Sequence, residues 1–159
     1  LIVRGAEMSP SRNPYSSQDT LILHATTVAM AGQAALFKGP SGSGKSGLAL
    51  QLLALGAVLV ADDRTHLCRR DGSLVAMAPK ALKNKIEARY VGLLNVPSTV
   101  SAPLALVVDL AKEEKERLPV PRCETLLGLS VPVIRKSNTP HFPAAVALYL
   151  QGGRFDWDD

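Results

Sequence analysis

The residues best suited to chemistry form one run, Gly39-Pro40-Ser41-Gly42-Ser43-Gly44-Lys45-Ser46. It matches G-x-x-x-x-G-K-[ST], the Walker A pattern, at every required position. Gly42 and Gly44 let the backbone wrap so that consecutive N–H groups point at phosphate oxygens. A helix opening near Lys45 adds the positive end of its dipole. Lys45 brings a mobile charge to the β- and γ-phosphates of a nucleoside triphosphate, and the Ser46 hydroxyl is a candidate ligand for Mg²⁺. Such a loop grips phosphates and ignores the base, which leaves ATP and GTP both open.

A second feature lies a short way downstream. The apolar stretch Ala57–Ala61 ends in Asp62-Asp63, two carboxylates where active-site groups collect in open α/β sheets. One carboxylate near Mg²⁺ can hold the metal or its water shell, and a neighbour can take a proton from an incoming hydroxyl. Adjacent strand residues point to opposite faces, so the two are expected to do different jobs. The plainer alternative is that one of them caps a turn.

These groups need elements to position them. Ala34–Lys38 reads as a strand running straight into Gly39, and Ser46–Leu55 as a helix rich in Leu and Ala. Gly56 falls where a helix C-cap is expected, and Ala57–Ala61 reads as a strand buried on both faces. This order is a βαβ-type unit. Upstream, Leu21–Ala29 reads as one strand containing His24. Downstream, Thr65–Arg70 and Ser73–Met77 flank Asp71-Gly72, a strong hairpin signal. Leu104–Leu110 is another apolar strand, ended by the charged run Lys112–Arg117, and Val131–Ile134 is a short one. Thr139-Pro140 supplies an N-cap and a first-turn proline for a helix ending near Gln151.

Bulk properties narrow the class. A chain of 159 residues, 47% hydrophobic and 20% charged, is most simply one domain with a real core. Residues 1–18 read as a flexible lead-in, 19–153 as the P-loop domain and 154–159 as a tail. No apolar run is long enough to span a bilayer and no secretory layout opens the chain, so a cytoplasmic protein is expected. Cys68 and Cys123 suggest neither a disulfide framework nor a zinc site. The net charge of +4 is modest, and the clusters Arg69-Arg70 and Lys80, Lys83, Lys85, Arg89 lack interleaved aromatics, which argues against nucleic acid.

The run from Gly39–Ser46 to Leu59-Val60-Ala61-Asp62-Asp63, with His24 before it, resembles the catalytic domain of HPr kinase/phosphorylase. Ile86-Glu87-Ala88-Arg89-Tyr90-Val91-Gly92-Leu93-Leu94-Asn95-Val96 resembles that family's signature segment. The resemblance covers roughly residues 22–150. It implies an α/β P-loop fold, with a mixed β-sheet and flanking helices, similar to that of PEP carboxykinase. The chain resembles the short form without a separate N-terminal domain, typical of alphaproteobacteria.

The same resemblance implies an enzyme that uses ATP and Mg²⁺ to phosphorylate a serine of the phosphocarrier protein HPr, in regulation of the phosphotransferase system. Gly39–Ser46 would bind ATP, with Lys45 on its phosphates and Ser46 on Mg²⁺. Asp63 would be the general base for the serine and the acid in the reverse reaction. Asp62 would support the metal and its waters, Glu87 would be a further Mg²⁺ ligand, and Arg89 a phosphate-facing charge. His24 would lie near the reacting phosphoryl group and Arg117 would be another active-site arginine. The family also implies a homo-oligomer, a hexamer.

There are departures. Tyr90 stands where the family's signature has glycine, Asn84 lies near another usual glycine, and Val131–Asn138 lacks the Arg-Pro-Gly-Arg core of the loop tied to dephosphorylation. Kinase activity is therefore better supported than phosphorylase activity. Two other functions stay open: a P-loop kinase for a small metabolite, and a nucleotide-dependent switch that binds a partner without phosphorylating it. His66 and His141 are given no role.

Overall fold

A computed structural model describes residues 19–79 and 84–156. The lead-in 1–18, Lys80, Lys83 and the end of the tail lie outside the described residues. In chain order the elements are β1 (Thr20–Leu23), β2 (Ala25–Met30), β3 (Gln33–Lys38), α1 (Lys45–Ala54), β4 (Val58–Ala61), β5 (Thr65–Arg70) and β6 (Ser73–Met77). They continue as β7 (Lys85–Ala88), β8 (Gly92–Asn95), β9 (Ser101–Glu113), β10 (Cys123–Leu126), β11 (Leu129–Lys136) and α2 (Phe142–Gly152).

Among the described residues nine strands form one mixed sheet in the order β1-β5-β6-β9-β3-β2-β4, with β11 also on β9 and β10 on β11. Strands β3, β9 and β11 run parallel, so their carboxyl ends lie on one side with the loop after Lys38. Strand β2 is antiparallel to both β3 and β4 and lies between them. The strand–loop–helix–strand unit is thus present, but its two strands are separated by a third rather than adjacent.

Both faces of this sheet are buried. On one, Leu48, Ala49 and Leu52 of α1 and Val146, Ala147 and Leu150 of α2 pack on Val28, Phe37, Leu106 and Val108. On the other, Leu36, Val107 and Ala29 pack with Leu67, Leu74, Leu126 and Val131 from β5, β6, β10 and β11. Small residues (Ala25, Ala34, Ala61, Ala76 and Ala102) recur in this second core and let the sheet curl closely on itself. This is the mixed α/β architecture expected from the sequence. No helix among the described residues is long and apolar enough to cross a membrane.

Local chemistry explains where the elements begin and end. Asp71 and Gly72 both have positive φ, 49° and 76°, which gives the hairpin the twist-matched turn expected of that dipeptide. Helix α1 ends as its Gly56 suggests: Ala57 N–H donates to Leu52 O at 3.0 Å and Gly56 N–H to Leu53 O at 3.1 Å, the paired bonds of a Schellman motif.

Other expectations need correction. Leu21–Ala29 is not one strand: the chain bends at His24, so β1 pairs with β5 while β2 pairs with β3 and β4. Strand β9 outruns its apolar core at both ends because β6 pairs with its first residues and β11 with its last. For the same reason β11 extends to Leu129–Lys136, while β10 had no clear sequence signal. Helix α2 is capped at His141 rather than Thr139, with Phe142 N–H donating to Thr139 O at 3.1 Å across the preceding turn.

Leu52 is fully buried between α1 and the sheet. Leu52→Ala is expected to lower stability by about 2–5 kcal/mol, read as a lower urea midpoint with an unchanged slope.

Candidate functional site

The loop between β3 and α1 is a tight wrap of backbone. Ser43 N–H closes a turn onto Pro40 O at 3.0 Å. Gly39, at φ 153°, lies so close to Ser43 that a Cβ there would fall 2.5 Å from Ser43 Oγ. Helix α1 begins after Gly44 with no side-chain cap and no acidic residue in its first turn. Its leading N–H groups thus keep their capacity for an anion. Lys45 is only 7% exposed, and its ammonium donates to Gly39 O at 2.7 Å and Pro40 O at 3.1 Å.

The acidic pair sits where the sheet breaks. Strands β2 and β4 pair as far as Thr27 and Ala61, and β1 and β5 resume the pairing at Leu23 and Thr65. His24 and the segment Asp62–Arg64 are therefore neighbouring bends at one crossing point. Asp63 adopts φ 68°, a left-handed conformation that aspartate tolerates better than most residues. Arg64 N–H donates to Asp62 O at 2.8 Å and completes the bend.

The two carboxylates serve separate partners, although they lie in a bend beyond the strand end at Ala61 rather than at alternating strand positions. Asp62 Oδ1 accepts from Ser46 Oγ at 3.3 Å and from Thr26 Oγ1 at 3.1 Å. Asp63 Oδ1 lies 2.7 Å from His24 Nε2. An ionised carboxylate can only accept, so the ring carries a proton on that nitrogen. The Asp63 and His24 side chains are largely exposed, at 76% and 59%, so they can meet a ligand without rearrangement. Buried Thr26 joins the two halves, because its hydroxyl also accepts from Asp63 N–H at 3.3 Å.

The donor set suits Mg²⁺. No group of three His, Cys, Asp or Glu residues among the described residues could hold a metal alone. Mg²⁺ prefers oxygen and is commonly held by one or two protein groups plus substrate phosphates. Ser46 Oγ beside Asp62 Oδ1, at the mouth of a phosphate loop, has that character.

The other candidates stand apart from this network. Glu87 lies on the β7–β8 hairpin, whose inward residues Ile86 and Ala88 are buried while Glu87 itself is exposed. Among the described residues its side chain has no hydrogen bond or ion pair with Ser46 or Asp62. The hairpin is tied beside β4, through Leu59 N–H to Pro97 O at 2.8 Å and Thr99 N–H to Leu59 O at 2.9 Å. Arg89 and Tyr90 form its turn, closed by Val91 N–H to Ala88 O at 2.9 Å.

Tyr90 has φ 71° and is 99% exposed, and Asn84 has φ 65°. The departures from glycine in the signature thus coincide with left-handed backbone. Arg117 lies beyond β9, whose carboxyl end is on the side of the sheet where the loop emerges, and among the described residues it makes no hydrogen bond or ion pair with the loop.

Sequence reading missed three groups. Thr26 was hidden as one more β-branched strand residue. Lys38, just before Gly39, donates to Glu124 Oε1 at 2.7 Å. Arg122 pairs with Glu114, whose carboxylate also accepts from the Lys115 and Glu116 N–H groups, each at 3.1 Å. The hydrogen bond from Arg122, reinforced by these N–H groups, holds the Glu114 carboxyl below its ordinary value. This clasp orders the turn leading to Arg117.

Comparison with known proteins follows the same lines. The family model for the HPr Serine kinase C-terminal domain matches residues 16–133. HPr kinase/phosphorylase of Bordetella pertussis is 34% identical over 125 residues, covering 70% of this chain and 41% of that protein. The Limosilactobacillus reuteri enzyme is 43% identical over 75 residues, covering 46% of this chain and 23% of its own length. The chain therefore spans less than half the length of these curated relatives. The solved structure of the Hpr(Ser) kinase/phosphatase from Coxiella burnetii superposes with a TM-score of 0.69 at 23% identity, over 82% of this chain and 88% of that one.

Two variants test the geometry. Gly39→Ala forces Ser43 away and is expected to weaken nucleotide binding at least about tenfold, by titration calorimetry, with the fold retained. Arg122→Ala releases Glu114 and is expected to speed amide exchange at Lys115 and Glu116. In the parent that protection should persist above the ordinary carboxylate range and fade as pH drops through the depressed Glu114 value.

Proposed function

Because the chain belongs to the HPr serine kinase C-terminal domain family, we propose that it transfers the γ-phosphoryl group of ATP to a serine of HPr. The observation that carries this reading is the division of labour between the two carboxylates. Asp62 is bonded to the hydroxyl of the phosphate loop, and exposed Asp63 is bonded to His24.

In this reading the triphosphate lies on Gly39–Ser46, against the N-terminus of α1. Lys45 exchanges the Gly39 and Pro40 carbonyls for β- and γ-phosphate oxygens, which bind an ammonium more strongly. Ser46 and Asp62 would hold Mg²⁺ and its waters, with Glu87 as a further ligand, and the ion would supply charge neutralisation at the phosphates.

The serine oxygen attacks the γ-phosphorus while Asp63 takes its proton, and the bond to the β-phosphate oxygen breaks to release ADP. His24 orients the Asp63 carboxylate. Arg89 and Arg117 face the phosphoryl group and offset the charge of the transition state. Positioning and charge neutralisation carry most of the catalysis.

The reverse, phosphorylase reaction has less support, since Val131–Lys136 is continuous strand β11 without the Arg-Pro-Gly-Arg loop core. The reading places the protein in the cytoplasm, as a homo-oligomer that engages HPr and neither membrane nor nucleic acid. Free Cys68 and Cys123 agree with a reducing compartment.

The test is intact-mass spectrometry of HPr after incubation with this protein, Mg²⁺ and ATP. A single added phosphoryl group mapped to serine is expected, and it should vanish with Lys45→Ala. Asp63→Asn keeps a residue that tolerates positive φ but removes the base, and should slow transfer about 10²–10⁴-fold. Unmodified HPr despite intact nucleotide binding would favour a non-transferring switch or a small-molecule acceptor.

A further inference from the structure

We propose that Thr26 is a positioning residue for both carboxylates, its hydroxyl holding Asp62 against Ser46 and securing the left-handed bend at Asp63. This rests on the kinase reading for its catalytic consequence, though its geometry stands independently.

Thr26 is 1% exposed on β2, paired with Phe37 of β3 beside the break in the sheet, where valine would serve the strand and the packing equally well. Its hydroxyl serves something else. A hydroxyl has one proton to donate and lone pairs to accept with. Thr26 gives its proton to Asp62 Oδ1, at 3.1 Å, and accepts the Asp63 N–H, at 3.3 Å. Both of its partners are the acidic pair. The neighbouring hydroxyl of Thr27 differs: it lies 2.9 Å from Thr65 Oγ1, which in turn donates to Ala25 O at 2.9 Å. That pair stays within the buried strands and touches neither carboxylate.

Two consequences follow. The bond to Asp62 Oδ1 fixes the carboxylate that also accepts from Ser46, so the spacing of the two oxygens offered to Mg²⁺ depends on Thr26. The bond from Asp63 N–H satisfies a backbone donor at φ 68°, where the chain has left the sheet ladder. Without it the bend has one tether fewer, and the Asp63 side chain swings with its backbone away from His24.

The test compares Thr26→Val, Thr26→Ser and Thr27→Val with the parent, at matched folded fraction. Thr26→Val is expected to raise the Mg²⁺ concentration for half-maximal nucleotide binding about tenfold. It should lower kcat for HPr about ten- to a hundredfold, with KM for HPr nearly unchanged. It should also remove amide-exchange protection at Asp63, in the ligand-free protein. Thr26→Ser should restore all three to within about threefold, and Thr27→Val should leave them there.

Parent-like Mg²⁺ dependence and Asp63 protection in Thr26→Val would overturn the proposal, as would equal losses in Thr27→Val. A parent protein that leaves HPr unmodified would sink the kinase reading alone. The Mg²⁺ dependence and the Asp63 amide would still decide the role of Thr26.

Discussion

The bend at Asp62–Asp63 is the constraint on which the site depends. A strand buried on both faces cannot end in two carboxylates unless the chain leaves the sheet there, because an unpaired charge in the core costs several kcal/mol by any measure. Here β4 stops at Ala61, and the next residues turn outward before β5 begins at Thr65. The partner strand must break at the same level, which it does at His24. One steric and electrostatic requirement thus brings an imidazole and two carboxylates together at the mouth of the phosphate loop. Asp63 meets it in a conformation that most side chains resist.

The β7–β8 hairpin answers to a different balance. Its inner residues Ile86 and Ala88 are buried, Ile86 in the core that α1 covers, and its base is stitched to β4 by backbone bonds through Pro97 and Thr99. Its tip has no such support. Tyr90 occupies the third position of a four-residue turn with positive φ, where glycine or asparagine would be unstrained. Exposed on 99% of its surface, its side chain gains little from packing to offset that strain. Asn84 tolerates its own left-handed backbone and is further held by a hydrogen bond from Ser98 and by Val96 N–H. The hairpin carrying Glu87 and Arg89 is therefore firm at its root and strained at its turn.

Much of this was legible in the residues because the signals were local. The loop pattern, the Asp71-Gly72 turn and the Gly56 cap each fix a backbone conformation within a few positions, and the structure has them where they were read. The parts that escaped are non-local. The break at His24 arises from pairing with β5 some forty residues away, and nothing between Leu21 and Ala29 marks it. Strand β9 grows beyond its apolar run because β6 and β11 extend it from either end. Thr26 looked like an ordinary strand former, and only the three-dimensional register puts its hydroxyl between Asp62 and Asp63. Glu87, Arg89 and Arg117 entered by resemblance, and among the described residues no hydrogen bond or ion pair joins any of them to the acidic pair.

The posture of Lys45 follows from the same accounting of polar groups. A lysine that is 93% buried needs acceptors, and the loop provides the Gly39 and Pro40 carbonyls. Those bonds also help hold the loop in its wrapped form, since both carbonyls belong to its first two residues. A phosphate offers the ammonium a charged acceptor, and charge-assisted bonds are roughly twice as strong as those to neutral oxygen. Binding then exchanges partners rather than exposing or burying a bare charge. The loop is organised around its lysine before the ligand arrives, which spares the ordering that a flexible anion trap would require.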